Sequence, residues 1–223
     1  MAQLLNERHS VNVHLNTVRR HIRIAHQIKG AEELAATIEP HFNNLLEKWK
    51  VKNSYSEEVE SKRDTVILKD ALLDDKVRDL HEGCKKYDRD HPGLTITNQI
   101  FPGSLSVIIY APLKSEPTEV EKLLIKVKEL GAGHELAAFV APLEQAISEC
   151  KEALSDLQLA MDDEAKAKAH ESFAKFNLAR QYEQNYFDAG TKFGKQFASR
   201  LFPSIKSKKR MEEGQEPESE PKK

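Results

Sequence analysis

Apolar residues recur in alternating steps of four and three along most of the chain, the mark of helices that each bury one stripe. Val11, Leu15, Val18, Ile22 and Ala25 form the first stripe and predict a helix to about Lys29, interrupted by Gly30. Ala31, Ala35, Ile38, Phe42, Leu45 and Trp49 carry the spacing across Pro40. Proline lacks a donor and clashes with the carbonyl four residues back, so a kink or short break is expected there. Asn53-Ser54-Tyr55-Ser56 offers turn and N-cap chemistry. A long helix should follow, with Val59, Arg63, Val66, Asp70, Leu73, Val77, Leu80, Cys84 and Tyr87 on one line until His91-Pro92-Gly93 stops it.

Residues 91–118 break the pattern with Pro92, Pro102, Pro112 and Pro117. Leu105-Ser106-Val107-Ile108-Ile109-Tyr110 has strand composition but no second run to pair with, so an extended crossover is expected. Helical spacing resumes after Thr118, with Glu121 at capping-box distance, and continues through Leu136, Val140, Leu143, Ile147, Cys150, Leu154, Leu157 and Met161. Asp162 or Asp163 should cap a last long helix on which Phe173, Phe176, Phe187, Gly190, Gly194, Phe197 and Leu201 share a face. The two glycines on that face would admit a closely packed neighbour.

Two short echoes set the architecture. Glu33-Leu34-Ala35-Ala36 returns as Glu135-Leu136-Ala137-Ala138, each running on to a proline, and Ile100-Phe101-Pro102 returns as Leu201-Phe202-Pro203. Pro40 and Pro102 stand 62 residues apart and Pro142 and Pro203 stand 61 apart, a matched spacing that points to internal duplication. The expected fold is an all-α bundle of about six helical segments in two repeated units. The boundaries are 1–103 for the first unit, 104–118 for the crossover, 119–204 for the second unit and 205–223 for a charged, disordered tail.

Composition supports the class and narrows the function. Of 223 residues 39% are hydrophobic and 31% charged, the balance of a bundle with wide solvated faces. The two cysteines, Cys84 and Cys150, lie on apolar stripes, which argues against a disulfide framework. Residues 1–8 do not read as a signal peptide and no apolar run is long enough for a membrane span, so a cytoplasmic protein without membrane contact is expected. The net charge of −2 is uneven: Arg8, Arg19, Arg20, Arg23 and Lys29 face Glu7 alone in residues 1–30.

Candidate chemistry is sparse. The histidines at 9, 14, 21 and 26 step by five, seven and five, which suits no helical metal pair, and no His has Glu three positions before it as a carboxylate-bridged centre requires. These histidines are expected at the surface or rim, and neither a metal nor a cofactor is expected. No nucleophile elbow, Cys-x-x-Cys or phosphate-binding glycine loop is present, which argues against an enzyme. Arg63, Asp70, Arg180 and Glu183 interrupt apolar stripes and are candidates for a polar groove, against the plainer reading of register-setting ion pairs. Arg19, Arg20 and Arg23 form a candidate basic patch, against the plainer reading of a solvated helix face. The leading expectation is therefore a non-enzymatic interaction or scaffold protein that binds a protein partner or itself. A nucleic-acid-associated protein using the basic N-terminal helix ranks second, and a small-ligand or metal-binding bundle third.

Overall fold

The computed structural model describes residues 4–202, and these contain seven α-helices, one 3-10 turn and no strand. In chain order they are α1 (Val11–Ala25), α2 (Glu32–Asp90), α3 (Ile96–Ile100), α4 (Leu105–Ile109), α5 (Glu116–Glu129), the 3-10 turn Glu135–Phe139, α6 (Val140–Phe193) and α7 (Lys195–Leu201). The 205–223 tail, and Pro203 and Ser204 of the repeat, lie outside the described residues.

Both long helices run straight through the breaks expected at Asn53–Ser56 and at Asp162–Asp163. A capping side chain is only a weak prior when no glycine or proline enforces the stop. Here those side chains find other partners. Ser56 Oγ donates to Glu164 Oε1 at 2.6 Å, and Asp162 accepts from Gln158 one turn earlier. Pro40 also lies inside α2, whereas Pro142 is the third residue of α6, where the helix requires no donor.

The described residues divide into two compact units, one made of the chain up to residue 53 and from residue 166 onward and one of 54–165, and not at the repeat boundaries near 103 and 119. The repeat boundaries follow chain order, but each long helix changes packing partners part-way along.

The first unit packs α1, the start of α2, the end of α6 and α7 around Leu15, Val18, Ile38, Leu45, Leu178, Tyr182, Leu201 and Phe202. Ser10 caps α1 by accepting from the Val13 amide. The inward line of α6 is Ala174, Leu178, Tyr182, Asn185 and Ala189. That reverses the expected face: Phe173, Phe176 and Phe187 are 67%, 47% and 55% exposed. Gly194 lies in no helix interior but separates α6 from α7 with φ of 82°, and a Cβ on Gly190 would meet open space, so neither glycine serves close packing within the chain.

The second unit is built on an antiparallel pairing of α2 with α6. Ser56 with Glu164, Lys62 with Asp156 at 2.7 Å and Lys69 with Glu149 at 2.8 Å form successive rungs. Val59, Val66, Ala153 and Ala160 are buried at heptad spacing. Further along, the expected stripe of Leu73, Val77, Leu80 and Cys84 is buried against α5, Leu143, Ile147 and Cys150. Gly83 makes room for the ring of Phe139, which a Cβ there would meet at 2.6 Å.

Residues 91–118 hold α3, α4 and the start of α5, which begins at Glu116 after Ser115 and not after the expected Thr118 cap, and Leu105–Ile109 is α4, not an extended run. An unpaired strand leaves its backbone groups unmet, whereas a helical turn meets them locally. Asp88 fixes the entry to α3 by accepting from the amides of Ile96 and Thr97, and Lys126 donates to the carbonyl of Ile100 at its end.

Candidate functional site

The first unit holds a buried polar node. His21 and Asn185 are both fully buried, which corrects the expected rim position of the α1 histidines. His21 Nδ1–H donates to the carbonyl of Leu201 at 3.0 Å, and its Nε2 accepts from Asn185 Nδ2 at 3.4 Å. Asn185 Nδ2 also donates to the carbonyl of Leu34 at 2.6 Å, while its Oδ1 accepts from Thr37 and Gln181. Tyr182 and Phe202 pack against the imidazole. Burial pushes the His21 pKa down, only partly offset by the bond to Leu201. The ring is thus a neutral strut tying α1, α2, α6 and the end of α7 together.

His14, one heptad earlier, is also fully buried, and its pKa is pushed down chiefly by burial. Its Nδ1–H donates to the Ser10 carbonyl, so Nε2 carries a lone pair, and it has no partner. Glu7, Ser172, Lys175 and Phe176 line a shallow cavity of about 320 Å³ beside it. Lys175 Nζ is spent on the carbonyls of Glu7 and His9.

The second unit carries three carboxyl groups together. Glu116, the first residue of α5, is only 1% exposed and lies within hydrogen-bonding reach of Asp70 and Asp74 on α2. Arg78 reaches Asp74 at 3.1 Å, but the charges bearing on Glu116 are carboxylates. Burial first, then the two aspartates, push the Glu116 pKa up to about 9. The helix N-terminus favours an anion by only about 0.3–1 kcal/mol, too little to reverse this. From α6, Cys150 faces the same carboxylates as a neutral thiol, pushed up to about 11 mainly by burial, and Cys84 is pushed up to about 12 for the same reason. Neither cysteine is a nucleophile in this state.

The proton on Glu116 makes stability depend on pH. Its folded pKa lies above the unfolded value, so the folded state keeps a proton that the unfolded state releases. Stability is complete below about pH 4.5 and is lost as pH rises toward about 9. The limit is about 1.4 kcal/mol per pH unit. The urea midpoint of wild type relative to that of Glu116→Gln should therefore fall across that window. Parallel curves would place the proton elsewhere.

Of the candidate groove residues, Arg63 and Asp70 belong to one unit and Arg180 and Glu183 to the other. Arg63 is exposed and pairs with Glu60, Asp70 joins the carboxyl cluster, and Arg180 and Glu183 are exposed on α6. Arg19, Arg20 and Arg23 are all exposed on α1, with Arg19 over the ring of Phe42. Among the described residues no group of three or more His, Cys, Asp or Glu could hold a metal ion, and no helix is long and apolar enough to cross a membrane.

Pattern reading missed His14, His21, Asn185 and Glu116. Polar residues inside an apolar stripe were the available signal for the first three, and nothing local marks Glu116. No protein-family model, curated protein or solved structure matches the chain.

Proposed function

We propose that this chain is a non-enzymatic interaction protein that associates with itself. The observation carrying this reading is the outward face of α6, where Phe173, Phe176 and Phe187 lie exposed at heptad-compatible spacing although a buried face was available on the same helix. Large exposed apolar side chains gathered on one face mark protein contact surfaces. A second apolar surface supports the same class: α4 buries none of its residues, and Tyr110 just beyond it is 84% exposed. The polar clusters are held neutral or paired inside the units, which suits structural roles better than turnover.

Light scattering tests the reading. The mass of wild type should rise with concentration, and that of Phe176→Ser/Phe187→Ser should not. A concentration-independent mass for both would remove the proposal.

The nucleic-acid reading keeps one observation in its favour, the common exposure of Arg19, Arg20 and Arg23. Three neutralised phosphates would give a log-log salt slope of about −2.7 on duplex DNA. The duplication reading also stands as a proposal. It is supported by the positive φ of Gly30 and Gly131, and of Gly93 and Gly194, and by the burial of Phe101 and Phe202.

A further inference from the structure

The outward face of α6 holds more than phenylalanine. Phe173, Phe176, Arg180, Glu183, Phe187 and Gly190 follow each other at steps of three, four, three, four and three, an uninterrupted a/d heptad line. Five of the six are exposed and Gly190 is half-buried. The helix therefore carries two lines: one of Ala174, Leu178, Tyr182, Asn185 and Ala189 turned to the core of the unit, and this second one turned to solvent. A lone amphipathic helix needs only the first.

Resting on the self-association proposed above, we infer that the partner of this face is the same face of a second copy, packed antiparallel about a two-fold axis between Arg180 and Glu183. Each a position then meets a d position of the other helix. Phe176 of one copy meets Phe187 of the other, and Arg180 meets Glu183. Phe173 meets Gly190, beside which Tyr186, Phe187, Thr191 and Lys195 line an open cavity of about 290 Å³. A Cβ at Gly190 has nothing within 4 Å, so the space for an incoming ring is not filled from within the chain. Two-fold symmetry makes every one of these layers twice.

The charges select this arrangement. Arg180 and Glu183 make no hydrogen bond or ion pair among the described residues, although at three residues apart they could reach each other on the helix surface. In the antiparallel register each finds an opposite charge on the partner. A parallel pairing in register would put arginine against arginine and glutamate against glutamate. Shifting the antiparallel register to centre on Arg180 would stack the two arginines on the axis. Only the a-to-d register satisfies both charges and both phenylalanine pairs, which is specificity through repulsion of the alternatives.

Charge exchange provides the test, with sedimentation of the full chain across a concentration series as the readout. Arg180→Glu puts two carboxylates into each central layer and Glu183→Arg puts two guanidinium groups there. Each single substitution should weaken association by more than about tenfold. The double substitution Arg180→Glu/Glu183→Arg restores opposite charges and should restore association. Both substituted positions are on the solvent face, and far-UV circular dichroism checks that each variant keeps its helices. If wild type associates and the single reversals leave it unchanged, the α6 register is overturned while self-association stands. If the reversals abolish association and the folded double variant does not recover it, the pairing of Arg180 with Glu183 is overturned. A wild type that stays monomeric overturns both.

Discussion

Leu80→Ala should cost the second unit about 2–5 kcal/mol, the range for removing a fully buried leucine from a core that collapses only partly around the gap. Leu80 has no exposed surface and sits on the α2 line between Val77 and Cys84, with the apolar face of α5 packed across it. Its truncation opens a gap in the cluster that also holds Val120, Leu123, Leu124 and Val127, the buried residues of the 14-residue α5. A helix of that length is marginal alone in water. Urea unfolding followed by far-UV circular dichroism should show a clearly lowered midpoint. Leu68→Ala, on the exposed side of the same helix, should change stability by no more than about 0.5 kcal/mol. Equal midpoints for wild type and Leu80→Ala would mean that the buried stripe contributes no packing energy.

Asn185→Ala should be the most damaging polar truncation in the first unit. It strips His21 Nε2 of its donor and leaves the Gln181 amide and the Thr37 hydroxyl with one acceptor fewer. An unsatisfied buried polar group costs about 1–3 kcal/mol, and the vacated side-chain volume adds to that. Trp49, the chain's single tryptophan, packs against this core and reports its unfolding by fluorescence. The same node makes the unit acid-sensitive. The folded pKa values of His14 and His21 lie below the ordinary 6.5, so the stabilisation is complete above that value and is lost as pH falls through the folded pKa. Trp49 fluorescence should therefore show lower urea midpoints at pH 5 than at pH 7.5. An Asn185→Ala protein with the wild-type midpoint would show that water or a shifted side chain replaces the amide.

The pH responses of the two units run in opposite directions, and neither was legible from periodicity. The four-three spacing located α1, the buried run from Leu73 to Cys84 and the all-helical class, because burial of a stripe is a local property of helical geometry. It also located Leu143, Ile147 and Cys150 on α6, and failed only on the later part of that helix, for a physical reason. Phenylalanines at 173, 176 and 187 drew the stripe, but Ala174, Leu178, Tyr182, Asn185 and Ala189 offer an equally regular line of smaller average size. Where a helix carries two lines, the choice between them depends on what packs nearby, and α1 and the start of α2 accept the smaller side chains. Glu116 was invisible because its neighbours Asp70 and Asp74 are more than 40 residues away in the chain. The breaks expected at Ser56 and Asp162 failed because those side chains bond laterally to α6 or along it, leaving the helices to continue. Arg180 and Glu183 stand in the sequence as charges in an apolar line, and the line is real, but it faces solvent.

Sedimentation equilibrium of the wild-type chain tests the central claim most directly. Self-association predicts a weight-average mass that rises from 25.3 kDa toward twice that value as concentration increases. A mass fixed at 25.3 kDa up to about 1 mM, where an association worth about 4 kcal/mol would already show, contradicts it.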